Sequence, residues 1–289
     1  MSGCGVWELA SSGSMAGDRA DGRTAGRAVG EGGARPLLLR EVPVGDSAVP
    51  RMELSEWAAR YGVVAGITTR GHGFSLGLWS EENVGQVMSR WRAVGAAVRP
   101  RFPGVVLAHQ VHGTTVQWHP AASEGWLIVD GVDGHATGAR GLLLTVTVAD
   151  CMPVYLAVPQ KHVVALLHSG WRGTAAGMLE RGVELVKRMA FVRSSDIVMH
   201  CGVGICGECY EVGSEVLSRF TGRVETGPGH VDLRAALARQ GQALGLGEIT
   251  VSTWCSAHDR EHFFSHRASG GRDGRMIAYA GLPATAASP

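Results

Sequence analysis

Three residues with metal-binding or nucleophilic side chains stand where the sequence predicts the ends of strands. His112 closes residues 110–113, Cys151 follows a continuous apolar run, and His168 ends another such run. Two histidines and one cysteine form a suitable ligand set for Zn²⁺ with a fourth, open position, and a water bound there ionises near pH 7. Spacing alone does not show that the three side chains converge. One buried thiol and two hydrogen-bonded histidines therefore remain the alternative.

Two arginines are candidates for binding an anionic group. Arg172 lies in residues 169–174, a glycine-containing turn that leads into a predicted helix after Gly173. Free backbone N–H groups and the helix dipole favour an anion at such a point. The guanidinium fork suits phosphate or carboxylate, and Arg70, in residues 67–73, could act in the same way. A surface salt bridge is the alternative for either arginine.

A second group of cysteines indicates a rival metal site. Cys206 and Cys209 form a C-x-x-C pair, and Cys255 with His258 could complete a structural zinc site. The second half is C-x-x-H, and the gap between the halves is long. A redox dithiol, or thiols that only pack beneath a glycine-rich loop, are the other interpretations.

The elements that must position these residues are mainly strands. Apolar and β-branched runs predict strands over residues 105–112, 142–148, 152–158 and 163–167, the last ending at His168. In the first of these, Gln110 and His112 would share one face. Apolar residues at helical spacing predict helices over residues 175–189 and 232–244. Strands and helices mix without strict alternation, and no G-x-G-x-x-G follows a strand. This predicts a single-domain α/β fold with mixed sheets in layers rather than a Rossmann fold.

Composition excludes several classes of protein. The chain has 289 residues, a formal net charge of +1, 45% hydrophobic and 18% charged residues, and 42 glycines. A disordered chain, a coiled coil, a collagen-like chain and a basic nucleic-acid module are disfavoured, so neither nucleic acid nor a membrane is an expected partner. Six cysteines are too few for a disulfide scaffold, and neither a signal peptide nor a long apolar run is evident. These features predict a cytoplasmic protein with reduced thiols.

The first residues differ from the rest of the chain. Residues 1–35 are rich in Gly and Ala without periodicity, which predicts a flexible tail. Translation from Met15 or Met52 is the alternative explanation. Residues 36–289 are predicted to form one catalytic domain with a frayed end.

Five segments, in this order, resemble the YfiH-like family, which is also called the multicopper polyphenol oxidase or laccase-domain family. They are Q-V-H-G (110–113), V-A-D-C-M-P-V (148–154), H-S-G-W-R-G-T (168–174), C-G-V-G-I-C-G-E-C-Y-E-V-G (201–213) and F-F-S-H-R (263–267). The resemblance extends from about Val63 to about Leu282. It implies a YfiH-like, cytotoxic-necrotizing-factor-like α/β layered sandwich.

The resemblance also implies an activity and its residues. His112, Cys151 and His168 match the family's His-Cys-His site, which implies zinc, with copper possible. The implied reactions are phosphorolysis of adenosine, inosine, guanosine and methylthioadenosine, and deamination of adenosine. The implied partners are a small nucleoside and phosphate; the oligomeric state is not indicated. Beside the ligands, Asp150 could orient a substrate or hold a ribose hydroxyl, and Arg70 and Arg172 could hold phosphate.

The sequence departs from the family pattern in loops that are expected to line the substrate pocket. Residues 70–85 lack the S-L-N segment, and the usual S-Y-R-R is replaced by Ser265–His266–Arg267–Ala268. His266 could face a pocket, although a buried, hydrogen-bonded histidine is the simpler interpretation.

Three other functions compete with the nucleoside enzyme. A hydrolase that edits a peptidoglycan precursor could use the same His-Cys-His site. A laccase is disfavoured, because a multicopper oxidase needs many histidines in H-x-H pairs and this chain has none. A binding or scaffold protein with a relic site is the non-enzymatic alternative.

Overall fold

The computed structural model describes residues 36–45 and 48–284, in sixteen strands, six α-helices and short 3₁₀ turns. The strands are β1 (Leu37–Leu38), β2 (Val42–Pro43), β3 (Arg51–Glu53), β4 (Val64–Thr68), β5 (Gly104–His109), β6 (Val116–His119), β7 (Gly125–Asp130), β8 (Gly134–Thr137), β9 (Leu142–Val148), β10 (Met152–Val158), β11 (Val163–Ser169), β12 (Val198–Cys201), β13 (Glu211–Val212), β14 (Gly229–His230), β15 (Glu248–Val251) and β16 (Met276–Gly281). The helices are α1 (Ser55–Tyr61), α2 (Val84–Val98), α3 (Trp171–Ala175), α4 (Met178–Ala190), α5 (Ser214–Thr221) and α6 (Leu233–Ala243). The predicted tail, residues 1–35, and the end of the chain, residues 285–289, lie outside the described residues.

Most strands belong to two seven-stranded sheets. The first sheet has the spatial order β1-β15-β12-β10-β11-β8-β6, and the second has the order β2-β3-β4-β16-β9-β5-β7. Both sheets mix parallel and antiparallel neighbours: β10 is antiparallel to β11 and β12, whereas β12 is parallel to β15. A two-stranded ribbon of β13 and β14 completes the described strands.

The first sheet is covered on both faces. Along β10, Val154 and Leu156 pack in one cluster with α4 and α6, whereas Tyr155 and Ala157 pack against the second sheet. A strand buried on both faces needs apolar residues at successive positions rather than at alternate ones. This explains why β9 and β10 occupy the predicted ranges, residues 142–148 and 152–158, without any shift.

The second sheet is likewise covered on its outer face. Ala278 and Ala280 of β16 face the first sheet, whereas Ile277 and Tyr279 pack with Trp91 of α2. The layers are therefore helices, first sheet, second sheet and helix. The layered α/β fold predicted from the sequence is confirmed.

Residues before Met52 contribute to this core. The buried carboxylate of Glu41 lies 3.1 Å from Nε2 of His200 and accepts a hydrogen bond from Ser252. The indole N–H of Trp254 donates to the Glu41 carbonyl. These hydrogen bonds hold the segment around Glu41 against the first sheet.

Three sequence predictions about local structure need correction. The strand predicted over residues 105–112 ends at His109, so the alternation that placed Gln110 and His112 on one face does not apply. The helix predicted over residues 175–189 is two helices separated at Gly177, whose φ of 84° lies in the left-handed region. The first, α3, begins at Trp171 and not after Gly173. None of the helices in the described part of the chain is long and apolar enough to cross a bilayer.

Candidate active site and metal centre

The turn that carries His112 is organised by one buried carboxylate. Asp133 accepts hydrogen bonds from the backbone N–H groups of Val111, His112 and Gly113 at 3.2, 2.9 and 2.7 Å. Because these N–H groups point to Asp133, they cannot continue the β5 ladder, and His112 adopts a positive φ of 59°. The same turn leaves the His112 side chain exposed to solvent.

Strand pairing brings His168 next to Cys151. Cys151 precedes β10, and β10 pairs with β11 so that Met152 lies opposite Ser169 and Pro153 opposite His168. Asp150, just before Cys151, has a φ of 87°, which turns the chain sharply between β9 and β10. The turn places the half-buried Cys151 near the end of β11 that carries His168.

The three predicted ligands converge. The ligand atoms of His112, Cys151 and His168 all lie within 4.8 Å of one another, and the two imidazole rings meet edge to face at 4.9 Å. Nδ1 of His168 lies 2.9 Å from a carboxylate oxygen of Asp133, which favours a proton on Nδ1 and leaves Nε2 as a ligand atom. A carboxylate behind a ligating imidazole is the usual outer-shell partner of a metal site. The donor set and this partner therefore fit a zinc ion with one open position.

Charges in the triad are strongly coupled. Burial alone would raise the pKa of Cys151, but His168 and His112 outweigh it and lower the pKa of this thiol to about 6. Burial would lower the pKa of His168, but the Cys151 thiolate and Asp133 raise it to about 9. Burial would raise the pKa of Asp133, but hydrogen bonds from His168 and Gly113 hold it below its usual range. In the metal-free protein at neutral pH, Cys151 is therefore a thiolate, His168 an imidazolium and Asp133 a carboxylate.

A cavity of about 350 Å³ opens beside the triad. Its lining combines the ligands with aromatic, polar and basic side chains from loops that are distant in sequence. The lining residues are Gly77, Trp79, His109, Gln110, His112, Thr147, Ala149, Cys151, His168, His266 and Arg275. A cavity of this size and mixed character is typical of a small-molecule site.

Comparison with known proteins establishes the family. Residues 63–283 match the sequence profile of the family described as multi-copper polyphenol oxidoreductase laccase. The chain belongs to this family. This confirms the resemblance drawn from the five motifs.

Curated proteins and a solved structure are similar to this chain over half of its length or more. The purine nucleoside phosphorylase YlmD of Geobacillus stearothermophilus is 32% identical over 247 residues, which cover 76% of this chain and 90% of that protein. The adenosine deaminase RL5 of an unknown prokaryotic organism is 35% identical over 163 residues, 52% of this chain and 62% of that protein. The crystal structure of the hypothetical protein YfiH of Bacillus licheniformis superposes with a TM-score of 0.74 at 25% identity, covering 83% of this chain and 98% of that one.

The structure does not bring Arg70 or Arg172 to the cavity wall. Arg70 donates to the carbonyl of Arg260 and lies 3.7 Å from a carboxylate oxygen of Asp273. Arg172 stacks on Trp171, 4.7 Å from its ring centre, and lines a separate surface groove. A helix as short as α3 also offers little dipole to an anion beside Arg172.

Asp150 adjoins the triad, but its carboxylate is used by the protein itself. One oxygen accepts a hydrogen bond from the Ser256 hydroxyl and the other from the backbone N–H of Arg267, both at 2.6 Å. The carboxylate is buried and lies outside the cavity lining. These contacts give Asp150 a part in positioning Cys151, not a direct contact with a ligand in the cavity.

Several lining residues were not identified from the sequence. Trp79 lies in residues 70–85, where the chain departs from the family pattern, and this departure was the available signal for it. Arg275 lies beyond the second departing segment, Ser265–Ala268, and no signal in that segment pointed to it. His266 is exposed and lines the cavity, so its interpretation as a buried histidine is wrong. Gln110 reaches the site because its side-chain amide pairs with the backbone of Thr147, at 2.7 Å and 3.0 Å.

Proposed function

We propose that this protein is a zinc-dependent purine nucleoside enzyme that cleaves nucleosides by phosphorolysis and deaminates adenosine. The observation that carries the proposal is the convergence of His112, Cys151 and His168 on a cavity of about 350 Å³. The names of relatives such as the YlmD phosphorylase and the RL5 deaminase support the choice of substrate class. Adenosine, inosine, guanosine and methylthioadenosine share a purine joined to C1′ of a ribose ring, which is the part that such a site would recognise.

The cavity offers a surface for the purine and a charge for phosphate. Trp79 is 52% exposed, and its ring packs at a tilt of 34° against His109 with 4.9 Å between ring centres, so its free area can receive a flat base. Arg275 lines the same cavity, and its guanidinium is held by hydrogen bonds to the carbonyls of Asp273 and Gly274. We assign the phosphate contact to Arg275 in place of Arg70 and Arg172.

The residues of the triad would hold the metal and set its position. In phosphorolysis the C1′–N9 bond breaks, its electron pair leaves with the purine, and a phosphate oxygen bonds to C1′. In deamination a water oxygen bonds to the purine C6 and ammonia leaves. Zinc held by His112, Cys151 and His168 would supply Lewis acidity for activating water or polarising the purine. Asp133 holds the imidazole of His168 by a hydrogen bond, and it also accepts a hydrogen bond from the backbone N–H of His112, which holds the turn that carries this residue.

Laccase activity has little support. Within residues 36–45 and 48–284, only two groups of three or more metal-binding side chains converge, and neither contains more than two histidines. A multicopper oxidase requires a blue-copper site and further copper ions with many imidazole ligands. Copper could still occupy the triad.

A product assay tests the proposal. Zinc-loaded protein is incubated with adenosine, with and without phosphate, and adenine, ribose 1-phosphate, inosine and hypoxanthine are separated. We expect phosphate-dependent adenine and phosphate-independent inosine, both lost in Cys151→Ala and both retained in Cys201→Ala, which removes a buried thiol outside the triad. Absence of any product from the zinc-loaded protein would contradict the nucleoside function. Turnover of a muramyl-peptide precursor in its place would establish the hydrolase alternative.

A further inference from the structure

A second cluster of metal-binding side chains lies outside the triad. The ligand atoms of Cys206, Cys209, Cys255 and His258 all lie within 4.8 Å of one another. Nε2 of His258 lies 3.1 Å from Sγ of Cys209, and its Nδ1 lies 3.7 Å from Sγ of Cys206. None of the four residues lines the cavity beside the triad.

The sheet topology explains why these residues meet. Strands β12 and β15 are parallel neighbours, so the loops that follow them leave the same edge of the first sheet. The first loop carries Cys206 and Cys209, and the second carries Cys255 and His258. A β-bridge between Gly204 and Cys255 holds the loops together where the cluster begins.

The local backbone geometry also suits thiolate ligands. The backbone N–H of Cys206 donates to Sγ of Cys255 at 3.3 Å, and a turn bond from Cys209 N–H to the Cys206 carbonyl folds the C-x-x-C segment. N–H groups directed at sulfur offset the negative charge of a coordinated thiolate, as outer-shell partners do in metal sites.

Packing alone does not account for the cluster. Cys255 is buried, but Cys206 and Cys209 are only half-buried and His258 is exposed. Three thiols that served only as small apolar residues would not need an imidazole within 3.7 Å of two of them. Four donors from two short x-x spacings form a closed set, which leaves no coordination position for a substrate.

We propose that Cys206, Cys209, Cys255 and His258 bind a structural zinc ion that joins the loops after β12 and β15. This site is separate from the triad and does not depend on the proposed nucleoside activity.

The joined loops support the active site through Asp150. Ser256, between Cys255 and His258, donates its hydroxyl to the Asp150 carboxylate, and the N–H of Ile205 donates to the Asp150 carbonyl at 2.9 Å. Asp150 is the residue before Cys151. A zinc ion that fixes both loops therefore also fixes the backbone turn that presents the catalytic thiol.

Metal analysis of the full chain tests the proposal. Protein from zinc-supplied cells is purified under reducing conditions, and zinc per chain is measured by plasma mass spectrometry. We expect about two zinc ions in the wild type, about one in Cys151→Ala and about one in His258→Ala, because the second site needs its fourth ligand. His258→Cys should retain about two, since four thiolates also bind zinc in a closed site. The exposed His230→Ala serves as the matched control.

Cobalt provides a readout that does not depend on activity. In the Cys151→Ala background, added Co²⁺ should give intense tetrahedral d–d bands and thiolate charge-transfer absorption, which His258→Ala would weaken and shift. Because His258 is exposed, its replacement leaves the core intact. In the Cys151→Ala background, the melting temperature of zinc-loaded His258→Ala should therefore approach that of chelator-treated protein that keeps His258.

Two results would overturn the proposal. One is equal zinc content in the wild type and His258→Ala. The other is a disulfide among Cys206, Cys209 and Cys255 in protein kept free of oxygen, which would identify a redox pair in place of a metal site.

Discussion

At the scale of single residues, the reactivity of Cys151 depends on its two imidazole neighbours. Because His168 and His112 lower the pKa of this thiol to about 6, the thiolate forms well below the pH at which an ordinary cysteine ionises. In metal-free protein, alkylation of Cys151 by iodoacetamide should therefore rise with pH through a midpoint near 6. Peptide mass spectrometry at a series of pH values measures the fraction of Cys151 alkylated and hence this midpoint.

Replacement of His168 provides the control for this midpoint. In His168→Gln the largest favourable interaction with the thiolate is removed while burial remains, so the midpoint should move upward by more than one pH unit. A wild-type midpoint near the ordinary thiol value of about 8.5 would show that the imidazoles do not stabilise the thiolate.

Asp133 connects the two histidines of the triad. It contacts His168 through the imidazole and His112 through the backbone N–H, so Asp133→Asn disturbs two ligands at once. We expect metal affinity to fall by about 10- to 100-fold, the usual cost of losing an outer-shell carboxylate. Competition with a chromophoric chelator measures the change. Asp196→Asn, at a half-buried position outside the triad, should leave the affinity unaltered; an equal loss there would remove the special role of Asp133.

At the scale of elements, the tight passage from β11 into α3 limits what can stand next to the triad. A Cβ added at Gly170 would lie 2.9 Å from Sγ of Cys151 and 3.5 Å from Cδ2 of His112. The backbone of Gly170 is ordinary, with a φ of −77°, so the crowding is steric. Gly170→Ala should therefore displace the Cys151 thiol and weaken metal binding by about 10-fold, comparable to other outer-shell changes.

Gly227→Ala is the matched control for this turn. It introduces the same methyl group, and no atom lies within 4 Å of the added Cβ. Chelator competition measures metal affinity, and thermal melting measures stability. Gly170→Ala should lose metal affinity with little change in melting temperature, whereas Gly227→Ala should keep both the affinity and the melting temperature of the wild type. Unchanged affinity in Gly170→Ala would show that the thiol has room to move.

The elements differ in how well the sequence predicts them. Strands β9 and β10 are predictable because burial on both faces produces uninterrupted apolar runs. The end of β5 is not predictable, because Asp133 accepts hydrogen bonds from the N–H groups of Val111–Gly113 although it lies twenty or more residues later in the chain. The break at Gly177 depends on a left-handed backbone that helical periodicity does not reveal.

The same distinction holds for the site. The members of the triad could be predicted one by one from the sequence, because each stands in a short motif close to the end or the start of a strand. The cavity wall is different, because Trp79 and Arg275 come from loops whose approach to β10 and β11 depends on the packing of two sheets. No local pattern in those loops indicates which side chain faces the triad.

At the scale of the whole molecule, the site requires the two sheets to keep their relative position. His168 lies on β11 of the first sheet, and Cys151 lies in the turn that links β9 of the second sheet to β10 of the first. The hydroxyl of buried Tyr155, on β10, donates to the Gly66 carbonyl of β4 at 2.8 Å and so joins the sheets directly. Tyr155→Phe keeps the ring and deletes this bond. It should lower the free energy of unfolding by about 1–2 kcal/mol, because a buried carbonyl loses a donor.

Urea unfolding of zinc-saturated protein measures the loss in Tyr155→Phe. Tyr61→Phe is the control, because the Tyr61 hydroxyl donates at 3.2 Å to Glu248 in a half-buried position, where water can replace it. We expect a smaller loss there. If both variants lose the same free energy of unfolding, the hydrogen bond between the sheets contributes no more to stability than the half-buried one of Tyr61. If Tyr155→Phe also loses metal affinity, the contact at β10 transmits its effect to Cys151 at the start of that strand, and the position of the sheets then controls the triad as well as the stability.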